Sequence, residues 1–139
     1  NLVDNDWLYG GSADQIVASI THGRNAMMPP GGGLPMTEQD VLDMTAYVLT
    51  LSGRKGSGNA DAAKAKFAVC SACHGADGTG NPALGGPNLT DNIWLYGGTE
   101  KAIIETLTLG RQGKMPAFKD TLGEEKIHVL AAYVYSLSM

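Results

Sequence analysis

Cys70-Ser71-Ala72-Cys73-His74 is a C-x-x-C-H run, and it uses both cysteines of a 139-residue chain. This spacing is the signature of covalent c-type haem attachment. Two thiols on adjacent turns reach the two vinyl groups of one porphyrin, and the histidine after them is placed to ligate the iron. Two other chemistries use similar residues. A thioredoxin-like Cys70/Cys73 pair needs a strand feeding a helix, and no β-rich run precedes Cys70. A zinc site needs further ligands, and His22 and His128 lie far away with no second paired spacing.

With His74 on one side of the iron, the opposite position calls for a second ligand downstream. Met115 fits it: it comes after a helix stop at Gly110, sits in the glycine-rich run Gly110-Arg111-Gln112-Gly113-Lys114-Met115-Pro116, and has its backbone fixed by Pro116. A thioether is a soft ligand that favours ferrous iron, so a His/Met pair raises the reduction potential and suits electron transfer. Met36, Met44 and Met139 read as core packing instead. The other ring nitrogen of His74 needs a backbone carbonyl, and Pro87 in Gly86-Pro87-Asn88-Leu89 is placed to supply it. Arg111 and Trp94 are candidates to face a haem propionate, against the plainer readings of solvated loop charge and packing residue.

The elements that position these residues are organised as a repeat. Asp4-Asn5-Asp6-Trp7-Leu8-Tyr9-Gly10-Gly11 recurs as Asp91-Asn92-Ile93-Trp94-Leu95-Tyr96-Gly97-Gly98, an offset of 87 residues. The same offset carries Gly23-Arg24 onto Gly110-Arg111 and Met28-Pro29 onto Met115-Pro116. After a one-residue gap, Ala46-Tyr47-Val48 maps onto Ala132-Tyr133-Val134. Met28 is thus the matching ligand candidate for a first haem, with Met27 beside it as the alternative. The second copy has a haem motif ahead of it, whereas the first has none in this chain. Residues 1–53 therefore read as the C-terminal half of a first unit, residues 54–58 as a Gly/Ser-containing flexible linker, and residues 59–139 as a complete unit.

Within these units the spacing predicts helices and no strand, so the expected class is all-α. Asn59 or Asp61 can cap a helix running to Cys70, residues 75 to 88 form a Gly/Pro-rich loop, Thr99 caps Glu100 to Leu109, and Gly123-Glu124-Glu125 opens a last helix. That helix carries the stripe Ile127, Leu130, Ala131, Val134 and Leu137. The corresponding stripe in the first copy, Val41, Met44, Val48 and Leu51, lacks the haem and N-terminal helix that a whole unit would set against it. It must be covered by the second unit, by self-association between chains, or by the missing segment, in which case Met28 would ligate a second haem. One covalent haem is expected from the single motif, and a second only if that segment is present.

A formal net charge of −4 and a sequence pI near 5.2 argue against a nucleic-acid partner. No run of 18 apolar residues exists to span a bilayer. The chain starts at Asn1, which leaves room upstream for a targeting or anchoring segment.

The haem motif near the end of an N-terminal helix, the Gly-Pro-Asn-Leu loop and the Met-Pro loop before a C-terminal helix resemble class I c-type cytochromes. The repeated Trp-Leu-Tyr-Gly-Gly, with Gly23-Arg24-Asn25-Ala26-Met27-Met28-Pro29-Pro30 and Gly110 to Phe118, is similar more narrowly to the dihaem cytochrome c subunit III of cbb3-type cytochrome c oxidases. The resemblance implies a cytochrome c fold, haem c, and a periplasmic module within an inner-membrane complex, attached through an upstream anchor or the complex itself. It implies electron transfer from a donor cytochrome to the oxidase subunit that reduces oxygen. It also implies that Pro87 holds the haem histidine, and that the helix holding Phe67 crosses the C-terminal helix near Tyr133. A free dihaem carrier, a dihaem peroxidase and a gas-binding sensor are the competing functions, the last two requiring an open or displaceable iron position.

Overall fold

The computed structural model describes residues 1–139. Its elements run in the order α1 (Ala13–His22), β1 (Arg24–Met28), α2 (Glu38–Leu51), α3 (Ala60–Ala63), α4 (Ser71–His74), α5 (Glu100–Leu109), β2 (Arg111–Met115) and α6 (Lys119–Ser136). A 3-10 turn at Lys66–Val69 bridges α3 and α4, so the stretch before the haem motif is an irregular run of helical turns instead of one continuous helix. Gly123 leaves the helical region and breaks α6 near its start.

The helix starts are set by capping side chains. Ser12 and Thr37 each make reciprocal capping boxes, with Gln15 and Asp40. Asn59 accepts from the Ala62 N–H, and Thr99 from the Ala102 N–H. Thr99 thereby opens α5 where the sequence places it.

The all-α expectation is corrected by a two-stranded antiparallel sheet. β1 pairs with β2 in the register Arg24↔Met115, Ala26↔Gly113 and Met28↔Arg111. Neither Arg-Asn-Ala-Met-Met nor Arg-Gln-Gly-Lys-Met holds a β-branched or aromatic residue, so neither carries a strand signal of its own. Each finds its partner in the other copy of the repeat, at a sequence distance that local patterning does not register. Close approach at the two ends demands glycine. Gly23 and Gly110 end α1 and α5 with φ of 68° and 70°, and a Cβ at Gly23 would overlap the Met115 carbonyl oxygen just as one at Gly110 would overlap that of Met28.

Leaving this crossed ribbon, the two copies exchange partners. From the first copy, α1 packs on α6 through Ile16, Ile20, Ile127 and Ala131. α2 goes to the other side, where Val41, Met44, Val48 and Leu49 join Ala63, Phe67 and Cys70 of the haem-motif stretch and Ile103 and Leu107 of α5. The stripe expected to lack a partner is therefore buried against the second unit. Phe67 does not meet Tyr133: its ring lies 5.1 Å from that of Tyr47, while Tyr133 is 62% exposed. Because Tyr47 and Tyr133 occupy the same place in the repeat, sequence likeness alone offers Phe67 either one.

Segment 54–58 is held at several points. Arg54 donates to the Ser52 hydroxyl at 2.9 Å and the Gly98 carbonyl at 2.6 Å, and its guanidinium lies 5.0 Å from the Trp94 ring centroid. The Ser57 N–H and hydroxyl both donate to Glu100 at 2.6 Å, which holds that carboxyl below the ordinary glutamate range. The Asn59 N–H reaches Asp43 at 2.8 Å, and Lys66 pairs with Asp40. Two acidic residues of α2 thus grip the haem-motif stretch.

This packing makes repeat-equivalent positions unequal. Met44 is fully buried and its counterpart Leu130 is 38% exposed, so Met44→Ala should cost about 2–5 kcal/mol and Leu130→Ala under about 1 kcal/mol in denaturant unfolding. Equal costs would contradict the exchange. The bond from Lys66, with bonds from Thr37, lowers the Asp40 pKa from 3.8 to about 2. Because the folded-state pKa is depressed, its contribution is present above about pH 4 and is lost as pH falls towards 2. Asp40→Asn should flatten that part of the stability-versus-pH curve, and an unchanged acid limb would show the pair to be idle.

Candidate haem site

His74 is 7% exposed, and its Nδ1 lies 3.0 Å from the Pro87 carbonyl oxygen. A carbonyl can only accept, so Nδ1 carries the proton and the Nε2 lone pair is left for a metal. The loop that presents Pro87 is tied to the motif by backbone bonds: Gly80 N–H to the His74 carbonyl at 2.7 Å, Leu89 N–H to the Gly78 carbonyl at 2.7 Å, and an Asn81–Gly86 bridge. Gly86 lies so close that a Cβ there would overlap the Cys73 carbonyl oxygen. The imidazole is therefore oriented by a loop with little freedom to shift.

Cys70 and Cys73 are both free, the first buried and the second exposed. Burial pushes the Cys70 thiol above its ordinary pKa, so it stays protonated and resists casual oxidation. No three His, Cys, Asp or Glu side chains converge to hold a metal ion by themselves, which leaves the zinc alternative without ligands. Cys70, Cys73 and His74 instead open on one large cavity with mainly apolar walls. Phe67, Met44 and Val48 line it on one side, and Leu89, Ile103 and Leu107 on another. An apolar cleft bearing two thiols and one oriented imidazole fits a porphyrin joined through thioethers and ligated on one face.

Of the two methionines that the repeat aligns, the one beside this cavity is not the one that follows the motif in the chain. Met28 lines this cavity, whereas Met115 does not and is 38% exposed. The ribbon register explains this. Met28 stands opposite Arg111 at one end, and Met115 opposite Arg24 at the other. Met27 also lines the cavity, but its side chain points to the other face of the strand and is 72% exposed.

Arg111 lines the cavity too, with Nε donating to the Thr106 hydroxyl at 2.9 Å, Nη1 paired to Glu105 at 2.9 Å and its guanidinium 4.7 Å from the Tyr96 ring centroid. Trp94 contributes its ring to the wall, but its N–H is taken by the Asp91 carbonyl at 3.2 Å. Met44, which belongs to the stripe expected to face a haem of the first unit, lines this cavity instead, and Leu8 and its repeat partner Leu95, neither of them a candidate from the sequence, line it too. No helix is long and apolar enough to cross a membrane.

Residues 58–134 match the family described as cytochrome c oxidase, cbb3-type, subunit III. The cbb3-type cytochrome c oxidase subunit CcoP of Rubrivivax gelatinosus is 49% identical over 139 residues, which cover 99% of this chain and 46% of the relative. The corresponding subunit FixP of Bradyrhizobium diazoefficiens is 42% identical over 149 residues, covering 99% and 51%. CcoP of Cereibacter sphaeroides is 39% identical, again covering 99% and 51%. The chain spans about half the length of the curated relatives it matches.

The tight seat of Gly86 gives a direct check on the loop. Gly86→Ala should force the Pro87 loop away from the motif, lower stability by about 1–3 kcal/mol and reduce the fraction of chains carrying covalent haem, read by haem-stained gels against total protein. Full haem loading with unchanged stability would mean that the loop does not set the histidine.

Proposed function

The chain belongs to the family of cbb3-type cytochrome c oxidase subunit III, and we propose that it relays electrons through covalently attached haem c from a donor cytochrome to the oxygen-reducing subunit, on the periplasmic side of an inner-membrane complex. One observation carries the reading: an imidazole oriented by a backbone carbonyl shares an apolar cavity with two free thiols and with Met28. The matches favour neither a free dihaem carrier nor a dihaem peroxidase.

In this reading Cys70 and Cys73 would form the thioether links, and His74 would ligate the iron through Nε2 with Pro87 holding its ring. Met28 would be the second ligand, supported by its place in the cavity. Met115, at the far end of the ribbon, would be the ligand candidate for a second haem only if a further attachment motif accompanies this chain. Residues 1–53, the C-terminal half of one unit, and residues 59–139, a complete one, would then be joined through 54–58 with their methionines and C-terminal helices exchanged.

When bound, the haem supplies a reversible one-electron change at iron. The residues keep that change inexpensive. A thioether and an imidazole would both be neutral ligands, the Pro87 carbonyl would keep the His74 ring from turning as the charge changes, and the mainly apolar walls would limit water. Arg111, fixed between Thr106, Glu105 and Tyr96 on the cavity wall, would offset the charge of a propionate. Trp94 packs beside it, with its N–H committed to the backbone.

Spectra of two variants separate the ligand assignments. Met28→His should abolish the sulfur–iron absorption band and lower the reduction potential, because nitrogen stabilises ferric iron better than a thioether does. In the same chain Met115→His should leave both nearly unchanged. The reverse pattern would return Met115 to the haem of Cys70 and Cys73.

A further inference from the structure

The one-residue gap in the repeat pairs every residue of α2 but the last, Leu51, with one of α6, and the two helices differ where α2 grips the haem-motif stretch. Asp40, which pairs with Lys66, becomes Lys126. Asp43, which accepts the Asn59 N–H, becomes Val129. Tyr47, packed on Phe67, remains tyrosine as Tyr133. On α6 these counterparts are open. A shallow groove is lined by Glu125, Lys126, Val129, Leu130 and Tyr133, with Val129 73% and Tyr133 62% exposed. The same groove on α2 would be covered by the turns around Lys66.

We propose that this α6 face receives a second helix bearing a Cys-x-x-Cys-His motif, and that this helix carries an acidic residue where the present one carries Lys66. The sign of that single pair sorts the two C-terminal helices between the two haem-motif helices. Set against α6, the stretch around Lys66 would bring two lysine ammonium groups together and would strip the Asn59 N–H of its acceptor, because Val129 has none. Set against α2, an acidic helix would meet Asp40. Each wrong pairing is penalised by like charge, and each right one is favoured. Shape cannot make this choice, since the apolar and aromatic positions of the two helices nearly coincide. The proposal rests on the exchange of C-terminal helices between the two repeats and extends it to partner choice.

The test uses haem peptides comprising residues 59–78 of this chain, either with Lys66 or with Lys66→Glu, titrated calorimetrically into the haem-loaded 139-residue chain. The Lys66→Glu peptide should bind about threefold to tenfold more tightly than the Lys66 peptide. Lys126→Glu in the chain should reverse that order, and high salt should erase it. Calorimetry reads the sorting independently of which methionine holds iron, so failure here is distinct from failure of the Met28 assignment. Equal affinities, a preference that survives Lys126→Glu, or no binding by either peptide would overturn the proposal. So would a concentration-dependent dimer in light scattering that blocks the peptide, which would give the face to a second copy.

Discussion

The antiparallel pairing of β1 with β2 is the constraint on which the rest depends. Each strand comes after a helix and leads into a methionine-proline step, and each helix stops at a glycine packed against the end of the other strand. Two chain segments that run antiparallel through such a crossing must send their C-terminal helices to opposite ends. α2 is thereby delivered to the haem motif of the second copy, while α6 is carried away to α1. Met28 and Met115 share one ribbon face but stand at opposite ends of it. The distribution of cores, methionines and exposed faces results from this geometry.

Apolar burial and charge have different tasks here. The cluster around Met44, Phe67 and Cys70 provides most of the cohesion of the haem side, but its residue types recur closely enough in α6 that burial alone would tolerate either helix. Surface ion pairs such as Lys66–Asp40 contribute little to total stability. Their value lies in discrimination, because reversing one charge turns a small gain into a small loss. The repeat is therefore kept in register by its similarities and assigned by its few differences.

Much of the site is legible in the sequence because it rests on local spacing. The C-x-x-C-H run needs only one helical turn, the Pro87 carbonyl lies a short loop away from His74, and Thr99 caps α5 by a rule confined to four residues. The repeat itself is legible as shared words. The exchange between copies is not, because two segments with the same sequence are equally compatible with either partner, and the strands that enforce the exchange have no intrinsic strand character. Glycine-rich surroundings favour Met115 in the sequence, whereas in the fold Met28 and Met115 both end ribbon strands and only Met28 lines the cavity of the haem motif. The signal that sets α2 against the haem-motif stretch is nonlocal: Asp40 and Asp43 match Lys66 and Asn59, where Lys126 and Val129 do not.

Zero-length carbodiimide cross-linking of the monomeric, haem-loaded chain, with peptide mass spectrometry of the products, tests the exchange most directly. The account predicts a Lys66–Asp40 cross-link within one chain, as their contact requires, and none from Lys66 to Glu124 or Glu125. A monomer in which Lys66 joins those residues of α6, with Asp40 unreacted, would contradict it.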